Sequence, residues 1–186
     1  MSLQVARYQL SVAQYERMIE AGVFPEDARI ELIEGELLEM TPIGTRHMAV
    51  VNRLTRILSR GVGDRAVLSV QNPIQLDERS VPQPDLALLC PQPDDYEQRR
   101  PTPADVLLLV EVAEPSVAYD RERKAELYAR AGVAEYWVVD LTTNEIVAWR
   151  QPVAGRYQVE RVARRGDSLS PAALLELTVT VAEVLR

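Results

Sequence analysis

Val106-Leu-Leu-Leu-Val-Glu-Val-Ala113 is the stretch that decides how this chain folds. It is apolar at consecutive positions, not at alternating ones, so both faces of a pleated strand are covered. That pattern belongs to a strand in the interior of a sheet, buried on both faces. The single interruption is Glu111, a carboxylate where burial is costly unless it is paired or holds a cation. Working upstream, Pro84 precedes Asp85-Leu-Ala-Leu-Leu-Cys90. Proline pre-extends the entry to a strand and cannot donate to a ladder, which suits a strand start. Asp85 therefore heads a second apolar strand. Two carboxylates on neighbouring strands can hold one Mg²⁺ or Mn²⁺, with water and phosphate oxygens completing the shell. Between the strands, Pro91 to Pro103 carries four prolines and several charges, a surface loop.

Downstream, Asp120 to Gly132 reads DRERKAELYARAG, a helix ending at Gly132. Of the 21 basic residues, Lys124 is the single lysine. It falls with Leu127, Tyr128 and Ala131 at i, i+3, i+4 and i+7, the core-facing stripe. An inward ammonium needs a partner. Either it makes an i,i+4 ion pair with Asp120, worth a few tenths of a kcal/mol, or it joins Asp85 and Glu111. Asp, Glu and Lys together are parts for metal-assisted phosphodiester hydrolysis, in which the ammonium orients water or stabilises developing charge. They would also suffice for a buried ion pair.

The remaining chain frames these elements. Ser11 to Gln14 is a capping box opening a helix to about Ala21, stopped by Gly22. Arg29 to Met40 reads as a hairpin turning at Glu34-Gly35, with Glu31, Ile33, Glu36 and Leu38 on one face, toward a site or toward water. Thr45 to Arg60 is an amphipathic helix closed by Gly61. It has no acidic residue, and Arg46, Arg53, Arg56 and Arg60 form a basic stripe, either a solvated face or a phosphate-contacting one. His47, the single histidine, sits near its start, as a structural residue, an outer ligand, a phosphate contact or a proton shuttle. Strands are expected at Ala66–Val70 and Ile74–Leu76. A meander follows over Tyr136–Asp140, Glu145–Arg150 and Arg156–Val162, then a short helix over Thr180–Leu185. Tyr136-Trp137 reads as core, and Trp149 as core or subunit interface.

At 186 residues and 47% hydrophobic, the chain is sized for one domain, residues 1–186. One cysteine, Cys90, excludes an internal disulfide and a Cys-based zinc site. No signal-like segment and no apolar run of about 18 residues is present, so a soluble cytoplasmic protein without membrane association is expected. The net charge of −7 excludes a general affinity for nucleic acid. It leaves room for an acidic, metal-using site with local phosphate contacts.

The order Pro84-Asp85, then Glu111, then a helix with lysine resembles the PD-(D/E)XK nuclease pattern. The usual lysine position, two residues after the Glu, is Ala113 here. In the superfamily the lysine can migrate to the following helix, the role Lys124 fits. More closely, the chain resembles the Uma2 family of restriction-endonuclease-like proteins. The matching segments are Glu31-Leu-Ile-Glu-Gly-Glu36, the helix start containing His47, Pro84-Asp85, Val110-Glu111-Val112 with Pro115-Ser116, and Tyr119-Asp120 through Lys124. Leu127-Tyr128-Ala-Arg-Ala-Gly132-Val and Glu135-Tyr136-Trp137-Val138-Val139-Asp140 match as well. The resemblance runs from about Tyr8 to the C-terminus. Ala113-Glu114 departs from the Leu-Ser often found there, adding a charge but removing no presumed ligand.

The resemblance implies an α/β (α+β) restriction-endonuclease-like core. A central mixed β-sheet is flanked by the Thr45–Arg60 and Asp120–Ala131 helices, with an N-terminal helix and hairpin and a C-terminal β-meander. It implies a Mg²⁺- or Mn²⁺-dependent endonuclease acting on nucleic acid, DNA first, and working as a homodimer. Asp85, Glu111 and the Val112 carbonyl would bind the metal, and Asp85, Glu111 and Lys124 would be catalytic. Glu36 and His47 would be accessory, and Arg53, Arg56 and Arg60 phosphate contacts. The superfamily often places a further acid on the first of these helices; this chain has none there. The rival readings are a non-catalytic nucleic-acid-binding or regulatory module, and a structural dimer with a buried polar network.

Overall fold

A computed structural model describes residues 7–40, 42–114 and 116–186; Pro115, within one of the matching segments, lies outside them. Ser11 caps α1 (Val12–Glu20) in the expected capping box with Gln14. A hairpin follows, β1 (Ile30–Ile33) and β2 (Glu36–Glu39). Its two turn residues, Glu34 and Gly35, have φ of 51° and 81°, the left-handed pair of a type I′ turn. α2 (Thr45–Val62) precedes β3 (Val67–Val70), β4 (Leu86–Leu89) and β5 (Val106–Ala113).

A π-helical turn over Tyr119–Lys124 leads into α3 (Ala125–Ala131), which ends on left-handed Gly132. The meander β6 (Glu135–Asp140), β7 (Glu145–Val153) and β8 (Arg156–Ala163) completes the sheet. A two-stranded ribbon of β9 (Ser168–Leu169) and β10 (Val179–Thr180), then α4 (Val181–Val184), close the chain.

The six-stranded sheet runs β3-β4-β5-β6-β7-β8. Every neighbouring pair is antiparallel except β5 and β6. A parallel pair needs a crossover, and the π-turn with α3 supplies it. The two sheet faces carry separate cores. On one, α2 lays Val51, Leu54 and Leu58 against Leu86, Leu88, Leu108, Val110 and Trp137. On the other, Leu127 and Tyr128 of α3 meet Ala87, Leu109, Tyr136 and Val138. Alternate residues of β4 and β5 thus feed opposite cores, and the continuous apolar run of β5 is the direct result.

Three expectations change. Ile74–Leu76 is no regular strand. Ile74 and Leu76 donate to the carbonyls of Pro82 and Ser80, but Pro82 has no N–H to return a bond. Gly61 does not end α2, which continues to Val62 before Gly63 at φ 51°. Gly61 is needed because a Cβ there would lie 2.1 Å from Leu177 Cδ1. The helix bearing Lys124 is not uniformly α, since its first turn is π-helical. Of the two readings of Trp149, the structure fits the core one: it is buried, stacks on Tyr136 at 5.6 Å and donates to Glu160. Among the described residues no helix is long and apolar enough to cross a membrane.

Candidate active site

The ladder between β4 and β5 pairs Leu86 with Val110, and one step further the chain brings Asp85 opposite Glu111. The Asp85 N–H donates to Glu111 Oε2 at 3.3 Å, and the Val112 N–H donates to Asp85 Oδ2 at 2.9 Å. Glu111 lies on the α3 side of β5, with Leu109 and Ala113. There Lys124 Nζ donates to Glu111 Oε1 at 2.9 Å, and the Tyr128 hydroxyl donates to the same oxygen at 2.9 Å. Lys124 also donates to Glu31 Oε1 at 3.3 Å and lies 3.8 Å from Asp120 Oδ1. The approach to Asp120 and the contact with Glu111 thus coexist, because the π-turn faces Asp120 and Lys124 inward together, while Asp85 is not touched by Lys124 directly. All five charged residues are buried. On the other side of Asp85, His47 Nε2 lies 2.9 Å from Oδ2, and Gln71 donates to Oδ1 at 3.1 Å. His47 Nδ1 is buried without a partner among the described residues.

Three carboxylates therefore surround one ammonium, and a fourth, Asp85, lies buried beside Glu111. Burial pushes the Glu111 carboxyl up to about 8 against the pull of Lys124, and Asp120, Asp85 and Glu31 add to the rise. Burial raises Asp120 as well. Burial also works to raise Asp85, but His47, the Val112 amide and Gln71 carry it below its ordinary value. For Lys124, burial disfavours the charge, yet Glu111, Glu31 and Asp120 outweigh it and hold the ammonium well above the usual lysine range. The cluster has a surplus of negative charge, so its free protons belong on carboxylates while the lysine stays charged. It forms one wall of a cavity of about 290 Å³ that Arg29, Met40, Ile43, His47 and Tyr119 also line.

The family model for Uma2, described as "Putative restriction endonuclease", matches residues 12–182. The chain belongs to the Uma2 family. Among solved structures, this Uma2 chain is similar to "a putative nuclease belonging to DUF820 from Anabaena variabilis ATCC 29413". The TM-score is 0.76 at 14% identity, over 95% of this chain and 97% of that one. At that identity the likeness speaks to the fold alone, and the fold it supports is the nuclease-like mixed sheet flanked by helices. No curated protein matches the chain.

In this Uma2 member the tertiary structure brings together Asp85, Glu111, Lys124 and His47. Val112 joins them: its N–H meets Asp85, and in a strand the carbonyl of the same residue points to the same side. Glu36 is not brought there. Its side chain is 52% exposed and pairs with Arg7 at 3.1 Å. Its cross-strand partner on the hairpin face, Ile33, packs into the core, and Glu31 on that face takes the position beside Lys124. The arginine stripe is also elsewhere. Arg53 donates to the Val184 carbonyl at 3.0 Å, Arg56 and Arg60 are exposed further along α2, and none lines the cavity.

Gln71 and the Tyr128 hydroxyl went unnoticed in the sequence. Tyr128 follows Lys124 by four residues and carried a readable signal. Gln71 carried none, since a φ of 51° after β3 swings it toward Asp85.

A divalent cation fits the donor chemistry. Asp85, Glu111 and the Val112 carbonyl are hard oxygen donors, and the surplus negative charge needs a counter-charge. Among the described residues no three acid or histidine side chains form a ready-made cage.

Proposed function

We propose that this protein is a Mg²⁺- or Mn²⁺-dependent nuclease that hydrolyses phosphodiester bonds of nucleic acid, DNA in the first instance. The observation that carries the reading is the buried Asp85, Glu111 and Lys124 cluster, acidic in excess, opening on the 290 Å³ cavity. Asp85, Glu111 and the Val112 carbonyl would hold the cation. When bound, it supplies Lewis acidity and a readily ionised water.

The chain's own groups do the rest. Lys124, fixed as an ammonium by its carboxylate neighbours, is a hydrogen-bond donor and counter-charge, not a base. It steadies the attacking water or the charge on the phosphate oxygens. Tyr128 and the Asp85 amide hold the Glu111 carboxylate in one orientation. His47 and Gln71 do the same for Asp85 from the opposite side. A homodimer would supply one such site for each strand of a duplex.

A non-catalytic module is the second reading. It is favoured by one observation: each oxygen of Asp85 and Glu111 already accepts a hydrogen bond within the protein. Plasmid, single-stranded DNA and RNA incubated with Mg²⁺ or Mn²⁺ separate the two. Cleavage by the wild type, lost in Asp85→Asn, Glu111→Gln and Lys124→Gln while circular dichroism stays native, is the expected result. No cleavage of any polymer under these conditions would leave the module reading standing.

A further inference from the structure

The cavity wall holds six acids, Glu31, Glu39, Asp85, Glu111, Glu114 and Asp120, against two permanent cations, Arg29 and Lys124. Lys124 is committed to Glu111, Glu31 and Asp120. Glu114 is met by Arg46 at 3.7 Å. Arg29 is different. Among the described residues no carboxylate lies within ion-pair distance of it. It is half-buried, not splayed into water. The chain thus keeps a half-buried arginine beside several carboxylates without pairing it to one, an arrangement that leaves its donors for a ligand.

The backbone fixes the face on which this residue stands. The Met40 N–H donates to the Arg29 carbonyl at 2.8 Å, extending the β1–β2 ladder by one pair beyond Ile30 and Glu39. Alternate residues share a face, so Arg29 stands on the same side as Glu31, with Met40 and Leu38 opposite them across the hairpin. All four line the cavity. Glu31 reaches Lys124, so the hairpin face carries both a wall of the carboxylate cluster and, two residues earlier, an unclaimed cation. Arg29 also borders a second hollow with Tyr15, Gln83 and Arg100. Arg29 therefore stands where the cavity meets the adjoining hollow.

We infer that Arg29 is the phosphate-anchoring residue of this site. Its planar fork would grip a non-bridging oxygen pair of a nucleic-acid phosphate and so position the neighbouring phosphodiester against Asp85, Glu111 and Lys124. This rests on the nuclease reading for the substrate class. Arg29 acts by binding and positioning; it makes and breaks no bond. In an acidic cavity that repels a polyanion, it supplies the local attraction that the arginine stripe of α2 does not bring to the cavity.

The test combines binding and cleavage. Fluorescence anisotropy with labelled single-stranded and duplex oligonucleotides is measured for the wild type, Arg29→Ala and Arg29→Lys, in Ca²⁺ to permit binding. Cleavage kinetics follow in Mg²⁺ or Mn²⁺. The expected result is weaker binding by Arg29→Ala, about tenfold to hundredfold, the size of a charge-assisted contact. KM should rise by a similar factor with kcat nearly kept, and Arg29→Lys, with charge but no fork, should fall between. A purely structural Arg29 would instead lower the thermal midpoint of Arg29→Ala and leave binding by the folded fraction unchanged.

Equal oligonucleotide affinity in Arg29→Ala and wild type would overturn the assignment, as would a wild type that binds no oligonucleotide. The two proposals fail separately. Binding lost in Arg29→Ala with no cleavage by any form sinks hydrolysis and keeps the anchor. Cleavage that requires Lys124 but is indifferent to Arg29→Ala sinks the anchor and keeps hydrolysis.

Discussion

Lys124 is a lysine and not a twenty-first arginine because of the space and partners around its nitrogen. Three carboxylates approach one buried point, and a compact ammonium can donate in three directions where a planar fork cannot. The same geometry makes it structurally important. Lys124→Met would leave Glu31, Glu111 and Asp120 facing one another without a counter-charge. Breaking a buried pair from one side costs about 3 to 5 kcal/mol, and urea unfolding at neutral pH should show a loss of that size. Adding Glu111→Gln to Lys124→Met should recover part of it, since a neutral amide replaces one of the groups that must otherwise take up a proton to stay buried. A Lys124→Met midpoint equal to the wild type would mean that water reaches the cluster and the ammonium is not needed to balance it. Lys124's inward direction was legible from helical spacing. That Glu31 would share it was not, because a hairpin face fixes which residues go together but not where they point.

At the scale of elements, β5 is held at both ends by polar anchors. Its C-terminal end carries Glu111. At its N-terminal end Asp105 accepts two bonds from Arg99, at 2.6 and 2.9 Å, and others from the Thr102 amide and hydroxyl, each at 2.8 Å. These tie the Pro91–Pro103 loop to the strand. The Arg99 guanidinium, helped by Thr102, holds the Asp105 carboxyl well below the usual carboxylate range, against the opposing effect of burial. A carboxyl depressed in the folded state contributes stability above its unfolded pKa of about 4 and loses it as pH falls through the folded value. Asp105→Asn should therefore unfold at lower urea than the wild type at pH 7. The gap should narrow steadily below about pH 4, and a gap that stays constant down to pH 2 would contradict the assignment. The loop's prolines made it visible in the sequence, whereas its attachment through Arg99 depends on how the loop folds back.

For the whole molecule, the placement of charge matters more than its total. The chain carries −7, and part of that excess is enclosed in the cluster around Lys124. A cation that binds the native site and not the unfolded chain stabilises by mass action, about 2.7 kcal/mol at a hundredfold excess over Kd. For a chain of this size that is roughly 5 to 10 °C in thermal midpoint. Millimolar Mn²⁺ or Mg²⁺ should raise the wild-type midpoint on that scale and leave Asp85→Asn unmoved. A rise of equal size in both proteins would place the ion elsewhere.

The linear chain by itself determined most of the elements and singled out the residues that the structure gathers at the cavity. The unbroken apolar run of Val106–Ala113 required cover on both faces, and Glu111 within it, Asp85 after proline and the lone Lys124 stood out because each contradicts its surroundings. Periodicity and violations of periodicity are local, so they can be read without coordinates. Only the tertiary structure decided which groups meet. The β4–β5 register set Asp85 opposite Glu111. The hairpin's packing turned Glu31 inward and left Glu36 in solvent, and the path of α2 carried Arg53, Arg56 and Arg60 away from the cavity while bringing His47 to Asp85. These are contacts between residues tens of positions apart, and their energies depend on burial and mutual distance, which exist only once the layers have packed.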